Sequence, residues 1–218
     1  MLPLRRPIAT PLIALFLVYV FHRDDTAGWR LDLDDPTWYQ PLTCVFVHSS
    51  AAHLINNVAA LVVAGGVCEI THGWARTLAL FAYTGVGASL AYGFFRNSEF
   101  SSRGSDGTLL GASGAVLGLF GAHGALLLLN WHEIFAWARV VWVAGLVLYL
   151  IAEVTLFTID TRPRVAYTAH VFGAVHGVLF GLFIGRNAVL RPWEPAMQRL
   201  GGALSLCIFS GSLIGLYN

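Results

Sequence analysis

Three long apolar stretches of the sequence each begin with side chains suited to proton transfer or nucleophilic attack. The first stretch carries His53 and Asn57, the second Ser113 and the third His170. A hydroxyl becomes an effective nucleophile when a neighbouring base removes its proton, and imidazole is the base used most often. These residue types therefore indicate acyl transfer, in which a serine oxygen attacks a carbonyl carbon.

Each of these residues has a predicted role in that chemistry. Ser113 is the candidate nucleophile, and His170 is the candidate base that takes its proton and later donates it to the leaving amine. The anionic oxygen that develops needs hydrogen-bond donors. We predict that Asn57, His53 and the backbone N–H groups at the start of the stretch that carries Ser113, including Gly111, form this oxyanion and substrate-binding site.

The composition indicates which elements must carry these side chains. The chain has 218 residues, of which 56% are apolar and only 11% charged, with a net charge of +1. Soluble domains carry about 25% charged residues. The composition therefore predicts an all-α polytopic membrane protein, and it excludes a disordered chain, a disulfide scaffold and a nucleic-acid-binding protein.

Seven apolar runs have lengths typical of membrane helices. The predicted spans are residues 8–21, 51–68, 74–95, 109–129, 136–159, 167–184 and 200–216. No repeat of fixed period occurs, and no loop is long enough for a soluble domain. We therefore predict one membrane domain, with the seventh span added after a linker that contains Pro192 and Pro195.

The polar residues share one end of the predicted bundle. They occur near the start of the second, fourth and sixth spans, and even-numbered spans all begin on the same side of a membrane. His53 and Asn57 are four residues apart, so they lie on one helix face. Glycine stripes on the fourth and sixth spans would allow close helix packing. These glycines are Gly114, Gly118 and Gly121 on one span and Gly173, Gly177, Gly181 and Gly185 on the other.

The charges near the first span predict the orientation. Arg5 and Arg6 precede this span, which places the N-terminus in the cytoplasm. Bulky and charged residues follow it, so we interpret it as an uncleaved helix and not as a signal peptide. The prediction is an integral, multi-pass protein of a prokaryotic plasma membrane.

The remaining polar residues are interpreted more simply. Glu153, the only acid inside a span, belongs to an odd-numbered span and is interpreted as a packing or pairing residue. His123 and His176 are interpreted as links between helices. His48 has two open interpretations, since it would brace either the outer loop or the oxyanion site. No Cys or His pair has metal-site spacing, so we predict neither a metal nor a cofactor.

The ordered motifs resemble those of the rhomboid family of intramembrane serine proteases. They are His48, the segment His53 to Asn57, the segment Gly111 to Gly114, and the segment Ala169 to Gly177. The resemblance implies that Ser113 and His170 are the catalytic dyad and that His53 and Asn57 form the oxyanion site. It also implies a six-helix catalytic core over residues 1–186. Residues 187–218 would then be a linker and a seventh helix, similar to the six-plus-one members.

The chain departs from the family pattern at two places. A Trp-Arg pair is common in the first outer loop, but the nearest residues here are Trp38, Tyr39 and Gln40. Some members carry an aromatic residue four positions after the catalytic serine, where this chain has Leu117. The anchoring of the loop and the support of His170 must therefore come from other residues.

Three functions are compatible with these patterns. The favoured one is an endopeptidase that cleaves transmembrane segments of other membrane proteins near the outer face through an acyl-enzyme. Its partners would be these substrates and the lipid bilayer, with no nucleic acid and no metal. The alternative is a non-catalytic rhomboid-like protein that binds transmembrane helices. A transporter would need inverted repeats and interrupted helices, and the sequence shows neither signal.

Overall fold

The computed structural model describes residues 6–95, 107–133, 166–185 and 189–217, together with seven positions between 136 and 151. Its α-helices are α1 (Ala9–Phe21), α2 (Gln40–Thr43), α3 (Ala51–His72), α4 (Trp74–Phe94), α5 (Ser113–Leu129), α6 (Tyr167–Ile184) and α7 (Glu194–Tyr217). Short 3-10 turns cover Ala27–Trp29 and Cys44–Phe46. Strands β1 (Leu31–Asp32) and β2 (Thr108–Leu109) pair antiparallel.

The predicted all-α polytopic membrane architecture is confirmed. Within the described residues, α3, α4, α6 and α7 are long and apolar enough to cross a bilayer, and α1 and α5 are shorter apolar helices. The predicted span over residues 136–159 lies largely outside the described residues. The seven positions described there are all helical.

Three predicted boundaries are wrong for identifiable reasons. The span predicted from residue 109 begins at Ser113, because Leu109 pairs with Leu31 and Gly111 has a φ of +115°. The span predicted to end at residue 68 continues to Gly73, which ends it with a φ of 87°. The last helix begins at Glu194 and not at residue 200, because Pro195 lies in the first helical turn, where a proline is tolerated.

Glycines bring α5 and α6 into backbone contact. A Cβ added at Gly177 would lie 2.6 Å from the carbonyl carbon of Gly118, and one at Gly173 would lie 2.9 Å from that of Gly114. Carbon atoms that are not bonded normally stay about 3.5–4.0 Å apart. Only glycine therefore permits this packing, as the two glycine stripes of the sequence predicted.

A buried carboxylate positions α1 against α3. Glu69 is fully buried, and it accepts hydrogen bonds from the backbone N–H groups of Ile8, Ala9 at 2.6 Å and Thr10 at 2.8 Å. The first amides of a helix have no intrahelical acceptor and carry a partial positive charge. Glu69 therefore caps α1 from a neighbouring helix.

The C-terminal helix α7 packs into the body of the bundle. The Tyr83 hydroxyl of α4 hydrogen-bonds with Ser205 Oγ at 2.8 Å, and a Cβ at Gly201 would lie 2.8 Å from the carbonyl oxygen of Leu179 on α6. At the other end, the Tyr217 hydroxyl donates to the Thr37 carbonyl at 3.1 Å. The helix predicted as an addition thus contacts α4, α6 and the loop between α1 and α2.

Gln40 anchors the loop between α1 and α2, for which the sequence left the support unidentified. Its side-chain oxygen accepts from the N–H groups of Asp32 at 3.2 Å and Thr37 at 3.0 Å, and its side-chain nitrogen donates to the Gly28 carbonyl at 3.5 Å. Gln40 is buried. One carboxamide therefore links three separate points of this loop.

Candidate active site

The structure brings together the serine and the histidine that the sequence selected. Ser113 is the first residue of α5, and His170 lies in the first turn of α6. Ser113 Oγ is 2.8 Å from His170 Nε2, and both residues are partly buried. This distance is a short hydrogen bond between a hydroxyl and an imidazole, the arrangement that transfers a proton on nucleophilic attack.

The dyad distance depends on the close packing of α5 and α6. Gly114 follows the serine directly. Its Cα packs against Gly173 of α6, and Gly173 lies one turn after His170. The first intrahelical hydrogen bond of α5 runs from the Val116 N–H to the Ala112 carbonyl. The amides that precede it, including that of Ser113, therefore lie at the positive end of the helix beside the hydroxyl.

His53 and Gly111 are placed against each other. A Cβ at Gly111 would lie 2.7 Å from His53 Cε1 and 2.9 Å from Nε2, so the absent side chain makes room for the ring. The Gly111 N–H donates to the Cys44 carbonyl at 2.9 Å. Ser49 Oγ lies 3.3 Å from His53 Nδ1. When Nδ1 accepts the Ser49 hydrogen, the Nε2–H of His53 is available as a donor.

Asn57 uses part of its hydrogen-bonding capacity within its own helix. Its side chain is buried, one turn after His53 on α3. The amide nitrogen donates to the backbone carbonyl of His53 at 3.0 Å, which uses one of its two hydrogens. One N–H of this carboxamide therefore remains for an oxyanion or a substrate group.

His48 braces the loop that leads to the serine. Its Nδ1 lies 3.3 Å from the Phe46 carbonyl, and its Nε2 accepts the Ala112 N–H at 3.5 Å. The ring also packs edge-on against His53, with centroids 5.0 Å apart. Burial, together with the nearby His53, lowers the pKa of His48 to about 4, which keeps the ring neutral. The sequence left His48 with two interpretations, one at the loop and one at the oxyanion site, and its position in the ordered motifs is a signal for the second.

An aromatic ring from the same helix contacts His170. The Tyr167 ring lies edge-on to the imidazole, with centroids 6.0 Å apart and an interplanar angle of 76°. Leu117, which stands where some relatives carry an aromatic residue, is buried in the bundle. The aromatic contact to the candidate base therefore comes from α6 and not from α5.

Several predicted features lie outside the part of the chain that the structure describes. They include Glu153 and residues 160–165 of the loop before α6. Among the described residues, no group of three or more His, Cys, Asp or Glu side chains is arranged to hold a metal ion. Cys44, Cys68 and Cys207 are free thiols.

Comparison with known proteins shows the family to which this chain belongs. Residues 35–187 match the Rhomboid domain. This chain belongs to the rhomboid family. RHOMBOID-like protein 5 of Arabidopsis thaliana is 32% identical over 153 residues, which is 69% of this chain and 44% of the relative. Rhomboid-related protein 1 of Caenorhabditis elegans is 31% identical over 180 residues, or 78% of this chain and 46% of the relative.

One bacterial relative is named as a protease. Rhomboid protease AarA of Providencia stuartii is 29% identical over 168 residues, covering 71% of this rhomboid and 58% of the relative. This rhomboid spans about a third to a half of the length of the first five curated relatives. It is an integral, multi-pass membrane protein, and the family acts on transmembrane substrates within the membrane. The relatives are mostly eukaryotic, so they do not support the prediction of a prokaryotic membrane.

Proposed function

We propose that this rhomboid is an intramembrane serine endopeptidase that cleaves transmembrane segments of other proteins through a Ser113–His170 dyad. The observation that carries the proposal is the 2.8 Å separation of Ser113 Oγ and His170 Nε2 at the start of two apolar helices. A serine in a glycine-rich membrane helix usually bonds back to its own helix. Ser113 instead contacts an imidazole from a neighbouring helix.

The reaction proceeds in two halves. Ser113 Oγ attacks the scissile carbonyl carbon while His170 accepts the hydroxyl proton, which forms a tetrahedral oxyanion. The donors proposed for this oxyanion are the His53 ring N–H, the remaining Asn57 N–H and the first amides of α5. His170 then protonates the leaving amine as the C–N bond breaks. Water, deprotonated by His170, hydrolyses the acyl-enzyme and restores the serine.

The membrane setting constrains the substrate. A peptide bond in a continuous helix is shielded by its own hydrogen bonds and side chains, so the segment must unwind locally before Ser113 reaches the carbonyl. We therefore expect cleavage to increase with Gly or Pro near the scissile bond. With the N-terminus in the cytoplasm, as Arg5 and Arg6 predict, α3, α5 and α6 begin at the outer face, and the cut falls near that face.

Two further predictions concern the extent of the catalytic unit and its location. We propose that residues 1–186 contain the catalytic core and that residues 187–218 add a linker and α7. The proposed location is a prokaryotic plasma membrane. A reporter enzyme fused to either terminus, active on only one side of a membrane, tests the orientation.

Labelling with a fluorophosphonate probe tests the proposal directly. The wild-type protein in detergent should be labelled, because the probe reacts with an activated serine hydroxyl. Ser113→Ala should abolish labelling, and His170→Ala should lower its rate by about 10²–10⁴-fold, the usual share of a general base. If well-folded wild type stays unlabelled, the non-catalytic alternative, a protein that binds transmembrane helices, replaces this proposal.

A further inference from the structure

Asn56 stands out among the polar side chains of the membrane helices. Asn56 is exposed. In helices α1 and α3 to α7, the other Asn, Gln, Ser, Thr and His side chains that the structure describes are buried or partly buried. Its neighbour Asn57 is buried and bonded to its own helix. Asn56 makes no hydrogen bond with any of the residues that the structure describes.

The depth of Asn56 makes this exposure unfavourable in a bilayer. It is the sixth residue of α3, so it lies about 7–8 Å along the helix axis from the first residue. The helix is apolar and long enough to span the membrane, and its exposed residues at this level include Ile55. Carboxamide groups that face hydrocarbon without a hydrogen bond are costly. The group is therefore suited to a partner that enters from the lipid.

The position of Asn56 relates it to the candidate active site. It lies three residues after His53, which places the two side chains next to each other on the surface of α3. His53 in turn packs against Gly111, two residues before Ser113. A polar path thus leads from the exposed side of α3 to the loop that carries the candidate nucleophile.

We propose that Asn56 is a substrate-positioning residue that binds the exposed backbone of a locally unwound transmembrane segment. A carboxamide carries both a donor and an acceptor, which match the N–H and C=O groups that a helix releases when it unwinds. An intact helix presents neither group, because its backbone bonds are internal. This inference rests on the proposed function, since it names what Asn56 recognises in the substrate.

A binding experiment tests the inference without requiring catalysis. The full-length Ser113→Ala protein is reconstituted in phosphatidylcholine vesicles with fluorescent peptides of about 20 Leu and Ala residues. One peptide has an uninterrupted helical sequence, and the other carries a Gly-Pro pair at the depth of Asn56. Energy transfer measures both affinities. We expect tighter binding of the Gly-Pro peptide and a loss of about three- to fifteen-fold in Asn56→Leu, the usual range for one hydrogen bond between membrane segments.

Two matched variants separate recognition from structure. Asn56→Gln keeps the carboxamide and should restore the preference for the Gly-Pro peptide. Val62→Ala changes another exposed side chain of α3 and should leave both affinities as in the parent protein. Equal binding of the two peptides by the parent, or undiminished preference in Asn56→Leu, overturns the inference.

Two other results are diagnostic. If Asn56→Leu instead weakens self-association of the protein in these vesicles, the residue contacts a second copy and the inference is wrong. Fluorophosphonate labelling of the wild type reports on the dyad separately. Loss of the peptide preference in Asn56→Leu therefore supports the inference whether or not the wild type is labelled, and an unlabelled wild type counts only against the proposed function.

Discussion

The substitution Gly177→Ala should separate the catalytic pair without touching it. A Cβ at this position would lie 2.6 Å from the carbonyl carbon of Gly118 and 2.7 Å from its Cα. Carbon atoms need about 3.5 Å, so α5 and α6 must move apart by about 1 Å. A shift of this size lengthens the 2.8 Å contact between Ser113 Oγ and His170 Nε2 to about 3.8 Å, beyond hydrogen-bond distance.

The expected result is a large loss of reactivity with a moderate loss of stability. Removing the hydrogen bond to the base should lower the rate of fluorophosphonate labelling by about 10²-fold or more. Overpacking of this kind costs about 1–3 kcal/mol, so the protein should still fold at room temperature. Thermal unfolding in the same detergent measures that change.

Gly124→Ala is the matched control for this prediction. It places the same methyl group on α5, where nothing lies within 4 Å of the added atom. Its labelling rate should equal that of the wild type. If folded Gly177→Ala is labelled as fast as Gly124→Ala, the dyad does not depend on the glycine contact and the reasoning is refuted.

Three further predictions concern the surroundings of the site. Glu69→Gln should lower the free energy of unfolding by about 2–4 kcal/mol, because it removes the charge that accepts the first amides of α1; a melting temperature equal to that of the wild type would contradict this. The pKa of His48 is lowered from 6.5 to about 4, so the folded state favours the neutral ring. The free energy of unfolding should therefore be highest above pH 6.5 and decline as the pH falls towards 4. His48→Gln should flatten this decline in melting curves recorded from pH 8 to 4, and an unchanged profile would show that another group is responsible. Gln40→Ala should release the loop between α1 and α2 and speed tryptic cleavage after the exposed Arg30 by about tenfold, and unaltered cleavage would mean that other contacts hold the loop.

The membrane helices could be predicted well because lipid imposes a simple rule. Long apolar runs with few charges must be helical, since every backbone group needs an internal partner in hydrocarbon. The rule locates spans but not their ends. Leu109 is as apolar as the residues of α5, yet it pairs with Leu31 from a distant loop, and nothing near it in the sequence signals that partner.

The polar contacts around the dyad were less predictable. The Gln40 carboxamide holds the loop between α1 and α2, and Tyr167 contacts His170 in place of an aromatic residue at Leu117. The contact of His48 with the Ala112 N–H, next to Ser113, favours the interpretation that it braces the oxyanion site. Each of these contacts depends on side-chain direction in three dimensions, which spacing along the chain does not specify.

The sequence by itself determined which side chains are costly to place in a membrane and which end of the bundle they share. Ser113, His170 and His53 were identified as polar residues within long apolar runs, and the parity of the spans places them at one end. Only the tertiary structure decided that Ser113 Oγ and His170 Nε2 are 2.8 Å apart and that Asn56 points away from the bundle while Asn57 is buried. The physical reason is that hydrophobicity acts on each residue separately, whereas hydrogen-bond distances depend on how closely two helices approach and how each is rotated.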